Sequence, residues 1–266
     1  VSFFAPHFTV YAQNELETLM NDLGYSSEYI ARGGLTVYTT VDLEINQMAQ
    51  DIAAQQVATL ASEGHNISNA AVIIIKPATG EILGMVGSID YNNDVIDGRV
   101  NVTTAFRQPG STMKPFTYSA ALELGMTAGD VIWDTRTSIG IPGQQAYVPR
   151  NYDSSFHGPM AMRHALANSY NIPAVQTLRS LGPDGVQYLL NLMHRFGVDS
   201  MGTDASIYGL SLTLGGGEVS LLELTRAYAV FSNQGMLVDT TSISCILDID
   251  KNIIYQYENG CPEGNV

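Results

Sequence analysis

The chain has 266 residues, of which 45% are hydrophobic and 14% are charged, a balance typical of folded globular proteins and not of disordered ones. Its formal net charge of -14 repels nucleic-acid phosphates and anionic lipid surfaces, so no nucleic-acid partner is expected. The longest apolar stretch, residues 70–75, is far shorter than the ~20 residues that cross a bilayer, and we expect neither a membrane span nor a signal peptide in this sequence.

The first part of the sequence predicts a small entry module. Apolar positions at helical spacing indicate an amphipathic helix within residues 1–35. Residues 35–41 alternate in polarity and are rich in Thr, Val and Tyr, which favours a strand, and Asp42 is placed to cap a helix that runs to about Ser62. We therefore expect a linker module over residues 1–69 and a main domain over residues 70–266.

The main domain opens with a predicted β-hairpin. Two apolar, β-rich runs within residues 70–91 are joined by the turn sequence Pro-Ala-Thr-Gly at residues 77–80. The first run is continuously apolar, which is typical of a strand covered on both faces. An antiparallel sheet flanked by helices is therefore expected, and the fold class is α+β.

The remaining sequence is mostly helical in its periodicity. Helical spacing of apolar residues marks the ranges 112–124, 160–169, 172–181, 185–196 and 220–233. Residues 135–155 are rich in Gly, Pro and Asn and indicate a long ordered loop, which in compact domains often lines an active site. Strand alternation returns over residues 242–257, around a turn at Asp250 and Lys251.

Two cysteines, Cys245 and Cys261, flank this last hairpin. Neither has a second Cys or His at metal-ligand spacing, so no zinc site is expected. The sequence leaves open a disulfide or two free thiols. Because the spacing does not place the two residues opposite each other about the turn at residues 250–251, free thiols are favoured.

No cofactor is expected elsewhere in the chain. His157, His164 and His194 lack a carboxylate at the spacing of a catalytic triad or a metal site, and structural roles are expected for them. The glycine run at residues 215–217 lacks the Lys-Ser/Thr of a phosphate-binding loop. We expect it to form a tight turn before the helix that starts near Ser220.

The strongest chemical signal is a serine three residues before a lysine at a predicted helix start. Ser111 and Lys114 at this spacing lie on one face of a helix. A lysine that loses its proton in a crowded pocket can accept the proton of the serine, and the helix dipole favours the developing negative charge. The alternative reading of Ser111 alone is an ordinary helix cap.

A second signal, Ser-Tyr-Asn, lies between two predicted helices. Read structurally, Ser169 is a helix cap and Asn171 a turn former. Read functionally, Ser169 relays a proton to a leaving group and Asn171 donates a hydrogen bond to a substrate amide. The order decides between them, because Ser-x-x-Lys followed roughly 50–60 residues later by Ser-x-Asn is the arrangement of penicillin-binding proteins and β-lactamases.

With these motifs and their flanking residues, the sequence resembles class A penicillin-binding proteins, the bifunctional peptidoglycan synthases. The stretches that carry the resemblance are GGLTVYTTVDLEINQMAQ, IIIKPATGEILGMVG, FRQPGSTMKPF, HGPMAMRHALANSYNIPAVQTL and LTLGGGEVSLLELTRAYAVFSNQG. The resemblance implies the fold that these proteins share with serine β-lactamases. It also implies roles: Ser111 matches the nucleophile, Lys114 the base, Ser169 the proton relay and Asn171 the substrate contact.

The resemblance further implies a substrate, an inhibitor class and a location. The family forms an acyl-enzyme with peptidoglycan stem peptides that end in D-Ala-D-Ala and passes the acyl group to the amine of a neighbouring stem. β-Lactam antibiotics acylate the same serine. Family members are anchored in the membrane in their full-length form and act on its extracytoplasmic face.

One family motif has no match in the chain. The third motif, Lys-Thr/Ser-Gly, lines the site and supplies a cationic clamp and one oxyanion donor. Lys76 precedes Pro-Ala-Thr-Gly ahead of the nucleophile, and Lys251 is followed by Asn and Ile, so neither can serve. We therefore expect a transpeptidase domain that is incomplete at its C-terminus and poorly active in isolation.

Two other functions share these motifs. A serine β-lactamase of class A would carry Ser-Asp-Asn and a Glu-centred loop, whereas Tyr170 occupies the middle position here and no matching Glu-x-x-Leu-Asn is present. A β-lactam-binding sensor or a non-catalytic scaffold would keep Ser111 and only bind. The missing third motif favours that second alternative, while the two intact motifs and the entry module favour the synthase.

Overall fold

A computed structural model describes residues 3–140, 143 and 145–262 and divides them into two compact units. The first unit comprises the described residues of Val1–Ala105 and Ser220–Val266, and the second is Phe106–Val219. The predicted boundary between residues 69 and 70 lies inside the first unit and stays a prediction. Among the described residues, no helix has both the length and the apolar character of a membrane span.

Eight helices and seven strands are described. In chain order they are α1 (Pro6–Asp22), α2 (Ser27–Arg32), β1 (Thr36–Thr39), α3 (Leu43–Ser62), β2 (Val72–Ile75), β3 (Ile82–Val86), α4 (Lys114–Glu123), β4 (Val131–Asp134), β5 (Gly158–Ala161), α5 (Met162–Ala167), α6 (Asn171–Ser180), α7 (Gly185–Arg195), α8 (Leu221–Ser232), β6 (Ile243–Leu247) and β7 (Ile253–Gln256). Short 3₁₀ turns occupy Asp94–Ile96, Gly110–Met113, Ala205–Ile207 and Leu210–Leu214. The predicted α+β class, with antiparallel strand pairs and helices, is confirmed.

Side-chain caps explain where α3 and α8 of the first unit begin. Asp42, three residues after β1, caps α3, because its Oδ1 accepts hydrogen bonds from the backbone N–H groups of Glu44 and Ile45, each at 3.0 Å. Ser220 and Glu223 form a reciprocal capping box at the start of α8. Each such cap stabilises its helix by about 1 kcal/mol. The predicted starts of both helices are confirmed.

The sheets of the first unit are antiparallel. β2 and β3 form the predicted hairpin, which packs against α1, α3 and α8 and buries Ile73, Ile82 and Met85. A second sheet has the strand order β1-β6-β7, so the early strand and the late hairpin share one sheet. Burial of apolar side chains such as Ile243 and Ile246 against α1 stabilises this sheet.

The preference for free thiols is wrong: Cys245 and Cys261 form a disulfide, with their Cα atoms 5.0 Å apart. In the β6-β7 pair the direct partner of Cys245 is Gln256 and not Cys261. After β7 the chain reverses a second time, closed by a hydrogen bond of 2.8 Å from the Gly260 N–H to the carbonyl of Tyr257. This second reversal brings Cys261 back beside β6, and counting positions about the first turn does not reveal it.

The second unit consists of α4 to α7 around one short strand pair, β4-β5. Its core contains the buried residues Tyr118, Ala121, Ile132, Met162, Ala165 and Ala174. The four predicted helices are confirmed, although the start of the predicted helix over residues 160–169 belongs to β5. The sequence missed β4 because the strand is four residues long and one of its two buried positions is Asp134, which breaks the apolar alternation.

Candidate active site

The exposed Ser111 lies in the 3₁₀ turn Gly110–Met113, which leads directly into α4. Lys114 is the first residue of α4 and is only 1% exposed. Its Nζ donates a hydrogen bond of 3.0 Å to the Ser111 Oγ. The spacing of three residues therefore does place both side chains on one face, with the serine open to solvent and the amine buried behind it.

The Ser-Tyr-Asn sequence lies where α5 gives way to α6: Ser169 and Tyr170 are in the short connection and Asn171 is the first residue of α6. Lys114 Nζ donates to the Ser169 Oγ at 3.0 Å, to the Asn171 Oδ1 at 2.7 Å and to the backbone carbonyl of Ser169. The structure thus brings all four predicted side chains together around one amino group.

Burial controls the charge of this amino group. Removal from water disfavours the ammonium form and lowers the pKa of Lys114 to about 8. Its hydrogen-bond partners within the described part of the chain are all uncharged oxygen atoms, so no carboxylate among them offsets the effect of burial. With that pKa Lys114 is still mainly protonated at pH 7, but roughly a tenth of it carries the neutral amine, which can accept a proton.

The carboxamide of Asn171 forms a hydrogen bond at each of its two polar atoms. Its Oδ1 accepts from Lys114, while its Nδ2 donates to the backbone carbonyl of Arg150 at 2.9 Å. A carboxamide has two N–H hydrogens. In the described residues this nitrogen donates only to Arg150, so its second hydrogen is open to a further acceptor.

The predicted long loop contacts this turn and contributes residues that the sequence did not reveal. The side-chain oxygen of Asn151 accepts from the backbone N–H groups of Asn171 at 2.9 Å and Ile172 at 3.2 Å. Its Nδ2 in turn donates to both carboxylate oxygens of Asp134, at 2.9 and 2.8 Å. Residues 141, 142 and 144 of the predicted loop lie outside the described residues.

His157 also departs from expectation. Its Nδ1 lies 2.6 Å from Asp134 Oδ2 and its Nε2 lies 3.1 Å from Asp153 Oδ2, so this histidine does contact carboxylates. Its ring stacks on Tyr170 with the ring centroids 4.0 Å apart. The contact to Asp134 spans 23 residues and has no local sequence signature.

The glycine run forms the expected tight turn and also supports the serine. Gly215 ends the 3₁₀ turn Leu210–Leu214 with φ +87°. A Cβ at this position would lie 2.2 Å from the backbone nitrogen of Gly110. Only glycine lets this turn approach the residue that precedes Ser111 so closely.

The two other lysines singled out by the sequence belong to the first unit. Lys76 pairs with Glu81 at 2.8 Å beside the turn of the β2-β3 hairpin, and Lys251 donates to the Thr36 hydroxyl at 3.0 Å. Neither joins the four-residue cluster, which lies entirely within the second unit. Within the described ranges, no group of three His, Cys, Asp or Glu side chains is arranged to hold a metal ion.

Comparison with known proteins identifies the family. Residues 70–259 match the family model of the penicillin-binding protein transpeptidase domain. The chain belongs to this transpeptidase family.

Among the relatives of this transpeptidase domain, penicillin-binding protein 2D of Bacillus subtilis is 33% identical over 96% of the chain. The crystal structure of penicillin-binding protein 1A from Haemophilus influenzae is 32% identical over 71% of the chain, with a TM-score of 0.62. The resemblance to class A penicillin-binding proteins and the predicted fold are confirmed.

A more distant solved structure supports the fold alone. PonA1 from Mycobacterium tuberculosis, in complex with penicillin V, is 20% identical with a TM-score of 0.72 over 90% of the chain. The transpeptidase chain spans only part of these proteins: 35% of the Bacillus relative, 27% of the Haemophilus structure and 62% of the Mycobacterium one.

Proposed function

We propose that the protein is a serine D,D-transpeptidase that cross-links peptidoglycan stem peptides through an acyl-enzyme on Ser111. The observation that carries this proposal is the single buried amino group of Lys114 held between Ser111, Ser169 and Asn171. Membership of the transpeptidase family supports acyl transfer. The D-Ala-D-Ala specificity rests on the resemblance.

In the acylation step, neutral Lys114 removes the Ser111 hydroxyl proton as the Oγ attacks the carbonyl carbon of the penultimate D-alanine. The tetrahedral intermediate then collapses and the C–N bond to the last D-alanine breaks. The leaving amine takes a proton from Lys114 by way of the Ser169 hydroxyl. Ser111 is left as an ester, and free D-alanine departs.

In the transfer step, the amine of a neighbouring stem peptide attacks this ester. Its proton passes through Ser169 to Lys114, and the Ser111 Oγ recovers a proton as the new amide forms. The second N–H of Asn171 would bind a backbone carbonyl of the donor peptide throughout. A β-lactam has a reactive amide that the same Ser111 would open, and the penicillin V complex of PonA1 supports this assignment by fold.

We place this activity on the extracytoplasmic face of the cell membrane, where stem peptides are cross-linked. The Cys245–Cys261 disulfide supports an oxidising compartment, because cytosolic thiols are kept reduced.

Acylation of Ser111 should rise with pH. The base form of Lys114 is the neutral amine, and because burial lowers the pKa of Lys114 to about 8, the neutral fraction grows as the pH rises through that value. We expect the second-order rate constant for labelling by a fluorescent penicillin to increase across this range and then level off. A rate constant that falls between pH 7 and pH 9 would contradict a role for neutral Lys114 as base.

The test of the function uses the natural gene product that contains this sequence. Ser111→Ala should abolish covalent labelling by a fluorescent penicillin, while the matched control Ser119→Ala, whose hydroxyl donates to the carbonyl of Pro115 in its own helix, should label normally. Addition of a donor stem peptide and an amine acceptor should then yield a cross-linked product. Rapid turnover of a chromogenic cephalosporin would instead indicate a β-lactamase, and stable labelling without transfer a sensor.

A further inference from the structure

The side chains of Asp134 and Asn151 are unusual for their burial. Asp134 is completely buried and Asn151 is 4% exposed. A buried carboxylate is costly unless hydrogen bonds compensate its charge. The partners of Asp134 are the Asn151 Nδ2, the His157 backbone N–H at 3.0 Å and the His157 Nδ1 at 2.6 Å.

The register of the β4-β5 pair explains how these groups meet. Asp134 is the last residue of β4 and pairs with Gly158 at the start of β5, which places His157 next to the carboxylate. Asn151 is fixed from both sides, since its Nδ2 also donates to the carbonyl of Ser155 at 2.9 Å. The buried Asp134 carboxylate therefore contacts both the Asn151 carboxamide and the His157 imidazole, whose Nε2 also lies 3.1 Å from Asp153 Oδ2.

Both of these groups act on the Ser-Tyr-Asn turn. The Asn151 Oδ1 accepts from the first two N–H groups of α6, on Asn171 and Ile172, and the His157 ring stacks on Tyr170. The side-chain Oδ1 of the same Asn171 accepts a hydrogen bond from Lys114 Nζ at 2.7 Å. One continuous path therefore runs from Asp134 through Asn151 and Asn171 to the amino group of Lys114.

From this geometry we infer that Asn151, oriented by the buried Asp134, is a positioning residue for acylation: it holds Asn171 against Lys114. Asn151 acts through Asn171 and does not touch the reacting atoms. The inference rests on the proposed function, in which Lys114 is the base.

Loss of this support has two expected consequences. Displacement of Asn171 disturbs the amine that serves Ser111, and a misplacement of about 1 Å can lower a rate by about 100-fold. It also removes from Lys114 an oxygen acceptor that favours the ammonium form, so the pH at which acylation rises should move down. A residue with a merely structural role would lower the amount of folded protein without moving that pH.

The test compares Asn151→Ala with the matched control Asn168→Ala in the natural gene product that contains this sequence. Asn168 is on the same turn, but within the described residues its carboxamide bonds only the His164 carbonyl of its own helix, at 2.8 Å. The labelling rate constant for a fluorescent penicillin is measured against pH on protein whose folded fraction is known from its melting curve. We expect about a 10- to 100-fold lower rate constant and a lower inflection pH for Asn151→Ala, and parental values for Asn168→Ala.

A double variant in which residues 134 and 151 exchange side chains keeps the inference testable if Asn151→Ala does not fold. Asn151→Asp sets a second carboxylate against Asp134 and should lose acylation. Adding Asp134→Asn exchanges donor and acceptor, keeps the charge of the pair and keeps an acceptor for the N–H groups of α6. We expect the double variant to label within tenfold of the parent and at its inflection pH.

Two results would overturn the inference: parental rate and inflection in folded Asn151→Ala, or a folded double variant no faster than Asn151→Asp. In both cases, labelling of the parent protein at Ser111 would still support the proposed function. A parent that is not labelled at Ser111 overturns the proposed function and this inference with it.

Discussion

Ser169 holds a left-handed backbone conformation with φ +54°, just after the end of α5. Its N–H closes the helix end by donating to the carbonyl of Leu166 at 2.9 Å. Glycine is the usual residue at such a helix end, because a Cβ there costs roughly 1–2 kcal/mol. The serine is therefore kept at a cost to stability at the position where its hydroxyl meets Lys114 at 3.0 Å.

Ser169→Gly should consequently separate stability from activity. Removing the Cβ relieves the left-handed strain, so we expect the free energy of unfolding of Ser169→Gly to exceed that of Ser169→Ala, which loses the same hydrogen bond to Lys114, by about 1 kcal/mol. Removing the hydroxyl should at the same time lower the rate of acylation. Urea denaturation and fluorescent-penicillin labelling measure the two effects.

Ser169→Ala is the matched control, because it removes the same hydroxyl and keeps the Cβ. It should lose acylation to the same extent as Ser169→Gly without the gain in stability. If both variants were equally stable, backbone strain would not be what distinguishes this residue.

The four residues around the Lys114 amino group could be predicted from the sequence, whereas the residues that support them could not, and the reason is physical. Ser111 and Lys114 lie within one turn of chain, so helical spacing alone predicts their contact. Ser169 and Asn171 were found because their order after the first motif matches a known arrangement. Asn151 and Asp134 reach the site through hydrogen bonds that span 20 and 17 residues of a loop without periodicity, and no local pattern records such contacts.

At the level of elements, the turn that carries Ser111 is held in place by a second turn. The 3₁₀ turn Leu210–Leu214 packs on the 3₁₀ turn Gly110–Met113. Gly215 makes this approach possible, since any Cβ would overlap the backbone of Gly110. The position of the nucleophile thus depends on a glycine that is distant in sequence.

Gly215→Ala should reduce acylation by displacing Ser111. The new Cβ would lie 2.2 Å from the Gly110 nitrogen, a separation that cannot persist, so one of the two turns must move. A movement of about 1 Å at the nucleophile corresponds to roughly a 100-fold loss in rate. The labelling rate constant of the folded variant measures this.

Gly125→Ala provides the matched control for backbone strain. Gly125 has a similar φ of +96°, but no atom of the neighbouring described residues lies within 4 Å of a Cβ built there. Both variants should lose stability from the left-handed conformation, and only Gly215→Ala should lose rate. Equal rates in the two variants would show that the close approach to Gly110 is unimportant.

Helices were easier to predict than strands in this chain. The starts of α3 and α8 are encoded locally by Asp42 and by the Ser220–Glu223 capping box, so sequence reading found them. In contrast, β4 is identified by its pairing with β5 across the long loop. Because one of its two buried positions is the polar Asp134, its sequence lacks the alternation of apolar and polar residues that marks a strand. Short strands are defined by partners that periodicity does not show.

For the whole molecule, strand pairing also explains why a linear division of the chain differs from the compact units. β1, near one end of the described residues, pairs with β6 near the other. This pairing joins the described residues of Val1–Ala105 and Ser220–Val266 into one unit, with Phe106–Val219 as the second. Composition and periodicity carry no information about which distant strands pair, so the sequence predicted a continuous main domain.

The Cys245–Cys261 disulfide closes a loop of 16 residues around the β6-β7 hairpin. Closing a loop of about this length limits the unfolded chain and stabilises the folded state by about 3 kcal/mol. Cys261→Ser should therefore lower the free energy of unfolding of the first unit by roughly 2–3 kcal/mol in urea denaturation. A reducing agent should weaken the parent protein by a similar amount and leave Cys261→Ser unchanged, because that variant has no bond to lose. Stability of the parent that is insensitive to reduction would contradict a stabilising role for the disulfide.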